Sequence, residues 1–125
     1  MSSRPQFNPY SVITNGDMSQ ASVTSKVTII QKLSMISYDI SWSGSSPVGV
    51  ITVQVSNTYS QNDDGSMRNP GNWTILALSS PTNVSGSTGN GFIDIDATAG
   101  YAVRLVYMKT SGTGSLNVVV NGKVQ

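Results

Sequence analysis

Two pairs of carboxylates have the residue types and spacing that could do chemistry. Asp63 and Asp64 stand before Gly65 in a polar stretch, where they could ligate a hard cation such as Ca²⁺. The stretch lacks the alternating Asp or Asn ligands and the closing Glu of a calcium loop. Asp-Gly is also an ordinary turn signal. We therefore expect no metal site at this position.

The second pair is Asp94 and Asp96, which lie two residues apart and so share one face of a strand. Two carboxylates on one face could act as an acid and a base in glycoside cleavage. Ile93 and Ile95 alternate with them, and this pattern is typical of a strand whose polar face meets water. We expect the solvent-facing role rather than catalysis.

Aromatic side chains could stack on sugars, because a flat ring face suits a pyranose while polar groups bond its hydroxyls. Tyr38 and Trp42 are in phase with the apolar residues of one strand-like segment, and Trp73 opens another, so all three are expected in the core. Tyr59 lies in a polar loop with no periodic reason to be buried. The candidate ligand-contact loop consists of Tyr59, Asp63, Asp64 and Trp73.

The composition excludes several classes of protein. The chain has no His, no Cys and no Glu, so the usual general base, thiolate nucleophile and soft metal ligands are missing. We expect no enzyme and no cofactor. Charged residues make up 10% of the 125 residues and the net charge is +1, without the basic stripe of a nucleic-acid binder. There is no apolar run of roughly 18 residues to span a membrane, and the polar start of the sequence leads us to expect no secretory signal.

Short segments of alternating apolar and polar residues must position these side chains. Clusters of Gly, Pro, Asn and Ser separate these strand-like segments from one another. About eight strands are predicted, at residues 10–15, 22–30, 32–42, 49–57, 73–78, 91–97, 101–109 and 115–122. A change of phase at Met35 and Ile36 predicts a β-bulge. Ser111-Gly-Thr-Gly114 predicts a tight turn that pairs the last two strands as a hairpin.

Such regularly spaced strands predict a single all-β sandwich or barrel over residues 10–125. Residues 1–9, which include Pro5 and Pro9, predict an extended N-terminal arm. The residues on the inward phase of the strands form the predicted core: Val27, Ile29, Ile40, Val53, Val55, Ile93, Val103, Leu105, Leu116 and Val118.

The segment Ile51-Thr-Val-Gln-Val-Ser-Asn57, the following Asp-Gly and Asn72-Trp-Thr-Ile-Leu76 resemble a pattern of discoidin-like, or galactose-binding-like, jelly rolls. Tyr101-Ala-Val-Arg-Leu105 and Leu116-Asn-Val-Val-Val-Asn-Gly122 match the final strands of that family loosely. The terminal cysteines of many members are missing. The resemblance implies an antiparallel jelly-roll β-sandwich, with loops that bind carbohydrate in some members.

Most of residues 15–123 also resemble small β-modules of tailed-phage structural proteins. The segments that carry this resemblance are Tyr38-Asp-Ile-Ser-Trp-Ser-Gly44, Val53-Gln-Val-Ser-Asn57, Asn72-Trp-Thr74 and residues 104–118. It implies a virion protein, synthesised in the host cytoplasm and placed on a capsid as a decoration protein or on a tail. Its partners would be copies of itself, most simply a trimer, and a larger lattice protein. The alternative is a lectin-like module that binds a host surface glycan.

Apolar residues on the outward phase of the last two strands suggest where such assembly occurs, because a free monomer would carry polar residues there. Met18, Met67 and Met108 also fall outside the predicted core, and adaptable side chains of this kind suit protein contacts. The candidate assembly face consists of Phe7, Val106, Met108 and Val119.

Overall fold

The computed structural model describes residues 6–30, 35–76, 82–96 and 101–123. Ten strands lie in these ranges, and no helix does. They are β1 (Gln6–Asp17), β2 (Ser22–Thr24), β3 (Thr28–Ile29), β4 (Met35–Ser56), β5 (Ser60–Gln61), β6 (Met67–Asn69), β7 (Thr74–Ile75), β8 (Thr82–Val84), β9 (Thr88–Asp96) and β10 (Ala102–Lys123). Eight of them form one sheet, and β5 and β6 form a second sheet of two strands.

The two longest strands, β4 and β10, have 22 residues each and lie at the centre of the main sheet. They pair antiparallel along their whole length, from Ala102 opposite Ser56 to Lys123 opposite Met35. The predicted hairpin of residues 101–109 and 115–122 is therefore wrong, because both segments belong to the one strand β10. Residues 32–42 and 49–57 were likewise predicted as two strands, and β4 runs through both.

Ser111-Gly-Thr-Gly114 is a bend within β10 rather than a turn between strands. The register shifts between Lys109 and Ser111 and again between Ser111 and Thr113. Gly112 has a φ of 79°, in the left-handed region that favours glycine. A Cβ there would overlap the carbonyl oxygen of Ser46 on the neighbouring β4. Both long strands thus bend at the same place, and β10 cannot carry a side chain where it approaches Ser46 of β4.

The bend divides the sheet into two halves. We call half-sheet A the part made of β1, β9, residues 35–43 of β4 and residues 115–123 of β10. Half-sheet B contains β2, β3, β7 and β8 with residues 48–56 of β4 and 102–109 of β10. Buried positions change phase across the bend, from Leu105 and Tyr107 to Leu116 and Val118, so both halves turn one face to a common interior.

One hydrophobic core fills the space between the inner faces of the two half-sheets. The halves also touch at their margins: the Tyr10 hydroxyl of β1 lies 3.2 Å from the Thr28 hydroxyl of β3. The Lys26 amide donates to the Val12 carbonyl at 3.0 Å. The molecule is thus a sandwich made by folding one open, mostly antiparallel sheet. The all-β class and about eight strands are confirmed, but the jelly-roll topology is not.

Seven of the ten predicted core residues are buried: Ile40, Val53, Ile93, Val103, Leu105, Leu116 and Val118. Val27, Ile29 and Val55 are half-buried instead. Met18, which we expected outside the core, has no exposed surface. Its amide donates to the carbonyl of Gly114 at 2.9 Å, which holds the β1–β2 connection over the bend. Tyr38 and Trp42 lie in the core as predicted.

The predicted arm of residues 1–9 has a different boundary in the structure. Strand β1 already includes Gln6, which pairs with Lys123, and Phe7, which pairs with Gly122. Residues 6–9 therefore belong to half-sheet A, while residues 1–5 lie outside the described ranges. The bulge predicted at Met35 and Ile36 is wrong, because both residues pair with β9 and with β10 without a register shift.

Two fully buried tyrosines differ in how their hydroxyls are satisfied. The Tyr107 hydroxyl donates to the Val48 carbonyl at 3.0 Å. The Tyr38 hydroxyl has no hydrogen-bond partner within the described part of the chain. An unpaired buried hydroxyl costs about 1–3 kcal/mol. Burial, with a smaller contribution from Tyr10, raises the pKa of Tyr38 far above its usual value.

We expect Tyr38→Phe to raise the free energy of unfolding by about 1 kcal/mol at pH 7, whereas Tyr107→Phe lowers it by a similar amount. Above pH 10 the wild type should also lose stability relative to Tyr38→Phe. Unfolded Tyr38 ionises near pH 10 while the folded form stays neutral, so this loss grows by up to about 1.4 kcal/mol per pH unit. Denaturant unfolding at pH 7, 10 and 11 measures both effects. If wild type and Tyr38→Phe lose the same free energy of unfolding between pH 7 and pH 11, the burial of the Tyr38 hydroxyl is contradicted.

Candidate functional site

The predicted ligand-contact loop is an ordered hairpin on half-sheet B. Strands β5 and β6 pair antiparallel, and a turn joins Asn62 to Ser66 at its tip. Gly65 occupies the left-handed position of that turn, with a φ of 89°. The sequence predicts an irregular loop here, because strands of two and three residues show no clear alternation of apolar and polar residues.

Asp64 stabilises this turn. Its carboxylate accepts hydrogen bonds from the Ser66 hydroxyl at 2.6 Å and from the Ser66 amide at 2.9 Å. These two bonds, the hydroxyl first, lower the pKa of Asp64. Asp63 is exposed beside it. Among the described residues, no three Asp side chains gather closely enough to hold a metal ion.

We expect Ca²⁺ at millimolar concentration to shift the melting temperature by less than about 1 °C, because the two carboxylates of this turn are too few to compete with water for the ion. Differential scanning calorimetry with and without a chelator measures the shift. A rise of several degrees with Ca²⁺, lost in Asp63→Asn, would show that the turn binds the ion.

Tyr59 and Trp73, the two aromatic members of the predicted loop, do lie together. Their ring centroids are 5.7 Å apart and the planes are tilted by 53°. Tyr59 is buried, with 8% of its surface exposed, so the prediction that it stands free in the loop is wrong. Trp73 is half-buried rather than part of the core. Gly71 permits this packing, since a Cβ there would come within 2.5 Å of the Tyr59 amide nitrogen.

Arg104 of β10 joins the two rings to the outer face of half-sheet B. Its guanidinium carbon lies 4.3 Å from the Trp73 ring centroid, a cation–π contact. Its Nε donates to Gln54 Oε1 at 2.7 Å. Partial burial lowers the pKa of Arg104. This cluster of Tyr59, Trp73 and Arg104 holds the hairpin against the sheet.

The polar atoms of both rings are engaged inside the protein. The Trp73 indole nitrogen donates to the Pro70 carbonyl at 2.8 Å, and the Tyr59 hydroxyl donates to Gln61 at 3.1 Å. A sugar stacked on Trp73 would compete with Arg104 for a ring face. Sugar binding by this loop stays a prediction, and the observed contacts favour a structural role for the cluster.

The residues of the predicted assembly face do not form one surface. Val106 is only 5% exposed, which corrects its placement on an open face. Met108 and Val119 are exposed, at 51% and 37%. Met108 lies on half-sheet B and Val119 on half-sheet A, because β10 bends between them. The side chain of Phe7 lies outside the described part of the structure.

Further apolar residues, not predicted from the sequence, are exposed in the structure. Phe92 on β9 is 64% exposed and lies in register with Asp39 and Val119 across half-sheet A. On half-sheet B, Val50 is 38% exposed and pairs directly with Met108. Phe92 could have been identified, since it is out of phase with the predicted inward residues Ile93 and Ile95.

Three concavities on the surface contain little that could do acid–base chemistry. One on half-sheet A is lined by Trp42 and Gly89 together with the polar residues Ser41, Ser43, Thr88, Asn90 and Asn117. A second surrounds Phe92 and contains Asp94, and a third lies beside Thr58 and Asn72. Asp94 is the one titratable residue among those that line these three concavities. Within the described ranges, no helix is long and apolar enough to cross a membrane.

Comparison with known proteins gives a likeness in fold. The sequence matches no protein-family model and no curated protein. The fold is similar to that of the SPBc2 prophage-derived protein YomS, with a TM-score of 0.50 and 12% sequence identity. The match covers 97% of this chain and 96% of that one. At this identity the likeness concerns the fold, which the two chains share over almost their whole length.

Proposed function

We propose that this protein is a non-enzymatic structural component of a bacteriophage particle, either a capsid decoration protein or a tail-associated module. It acts through protein–protein contacts with a larger virion lattice and with copies of itself. The fold shared with a prophage-derived protein supports the phage setting, as does the resemblance of residues 15–123 to tailed-phage modules.

One observation carries the proposal: large apolar side chains are exposed on the outer faces of both half-sheets. Phe92 and Val119 lie on half-sheet A, and Met108 and Val50 on half-sheet B. Half-exposed Met, Val and Phe side chains gain free energy when a partner covers them, at about 25 cal/mol per Å². Two such faces suit a module placed between neighbours in a lattice.

Incorporation into particles tests these outer faces. A tagged copy expressed during phage growth should enter particles, whereas the double variant Met108→Lys with Val119→Lys should enter at about one tenth of that level or less. Lys is used because Val119 lies opposite Asp39, where an Asp would add a like charge. Both positions are exposed, so the double variant should keep the wild-type melting temperature within a few degrees. Val106→Asp is unsuitable because Val106 is buried.

The matched control is Thr24→Lys with Ser41→Lys. Thr24 and Ser41 are exposed on half-sheets B and A, so this control adds the same charge and removes no apolar surface. It should enter particles about as well as wild type. If the two double variants are incorporated equally, the apolar side chains are not the contact.

A further inference from the structure

Strand β9 has one edge that is open within the described part of the chain. It pairs with β4 on one side, through consecutive residues from Thr88 opposite Ser43 to Asp96 opposite Met35, without a register shift. None of the described residues pairs with its other side. Such an edge presents a row of backbone donors and acceptors on which another strand can pair.

The other edges of the sheet carry features that prevent such pairing. Strand β1, at the opposite side of half-sheet A, contains Pro9 and three register shifts. The edge strands of half-sheet B are only two or three residues long. Strand β9 has nine residues, with no Pro and no Lys. It is the one long and regular open edge in the described part of the sheet.

The sequence of β9 is complementary to itself about its middle residue, Phe92. In an antiparallel pair centred there, Phe92 lies opposite Phe92 of the second copy, and aromatic cross-strand pairs are favourable. Asn90 of each copy lies opposite Asp94 of the other copy, so the contact contains two pairs of an amide donor and a carboxylate acceptor. On the inner face Ile93 lies opposite Gly91, and no two large side chains compete for space.

Other registers lack this match. Centring the pair on Asp94 would place two carboxylates opposite each other, and parallel pairing in register would place Asp94 beside Asp94. Centring it on Ile93 would put Phe92 opposite Asp94. Like charges directly opposite one another destabilise a strand pair.

We propose that two copies of this protein associate through antiparallel pairing of their β9 strands, with the two-fold axis at Phe92. The contact continues half-sheet A of one copy into half-sheet A of the other. It also extends the row of Val119, Asp39 and Phe92 into a band shared by both copies. This inference rests on the proposed self-association and specifies its geometry. It replaces the trimer implied by the phage resemblance with a dimer.

Disulfide trapping tests the register, because the chain contains no Cys and any cross-link comes from the introduced residue. Phe92→Cys places two thiols opposite each other at the two-fold axis, within reach of a disulfide after a small adjustment. Under mild oxidation at about 20 μM, more than about half of this variant should run as a covalent dimer.

Thr88→Cys is the matched control, on the same strand and the same exposed face. In the proposed register two copies of residue 88 are eight residues apart along the strands, roughly 27 Å. This variant should give no covalent dimer above background. Equal cross-linking of both variants, or none of either, would overturn the proposal.

Charge changes at Asn90 give a second measurement without oxidation. Asn90→Asp faces Asp94 twice across the contact and should weaken the dimer about tenfold, while Asn90→Lys should tighten it. Sedimentation equilibrium measures both dissociation constants, and circular dichroism checks the fold of each variant. Wild-type affinity in both variants would contradict the pairing.

These outcomes are separable from the proposed function. If wild type enters particles but shows no β9 contact, the phage role stands and this interface fails. If the β9 dimer forms but the chain never enters particles, the interface stands and the phage role fails.

Discussion

Replacing Gly112 by Ala should lower the free energy of unfolding by about 3 kcal/mol or more. Gly112 sits at the bend of β10 with a φ of 79°, and a Cβ there would overlap the carbonyl oxygen of Ser46. Both the strained backbone and the clash with β4 act against the variant. Urea unfolding followed by tryptophan fluorescence measures the loss.

Gly65→Ala is the control for backbone strain alone. Its φ of 89° is similar, but nothing lies within 4 Å of the Cβ position. This change should cost about 1 kcal/mol. Equal losses at Gly65 and Gly112 would mean that close approach of β4 and β10 does not set the bend.

Leu105→Ala should lower the free energy of unfolding by about 2–5 kcal/mol, because Leu105 is fully buried where β10 faces the core of half-sheet B. Val119→Ala, on the same strand but 37% exposed, should cost less than about 1 kcal/mol. Guanidinium unfolding at constant pH compares the two. A loss below about 0.5 kcal/mol for Leu105→Ala would show that the inner and outer faces of β10 are assigned in reverse.

Alternation along the sequence predicted the inner face of β10 because that face is continuously buried on each side of the bend. Val103 and Leu105 before it, and Leu116 and Val118 after it, are all in the core. The connection between those segments could not be predicted in the same way. Ser111-Gly-Thr-Gly114 suits a tight turn and a bend equally well, since Gly allows either backbone. The bend of β4 opposite this segment, more than 60 residues away in the chain, determines that the segment forms a bend and not a turn.

The candidate site was also predicted only in part, because local patterns identify single residues and not their distant partners. Trp73 and Tyr59 were both selected as possible contact residues, and they do lie together. The partner that engages Trp73, Arg104, comes from a distant strand, and no local pattern links them. Val106 is buried although its phase points outward, and Thr24 and Thr52 flank it on the neighbouring strands. The exposure of a side chain on an outer face depends on residues of the adjacent strands, so it cannot be predicted from the alternation within one strand.

The two outer faces and the edge of β9 have different tasks in this account. The edge joins two copies, and the faces then present Phe92, Val119 and Met108 to other proteins of the particle. Because the proposed band of Val119 and Phe92 crosses the two-fold axis, the dimer offers a larger apolar surface than either copy alone. An isolated chain would have only the smaller patches to bind with.

Quantitative mass spectrometry of purified particles tests the central claim most directly. The particles should come from the phage, or the induced prophage, whose genome carries this gene, and be separated from soluble lysate on a density gradient. We predict that the chain sediments with the particles in a fixed number of copies relative to the capsid or tail proteins. A chain found in the soluble lysate and absent from the particles would contradict its role as a virion component.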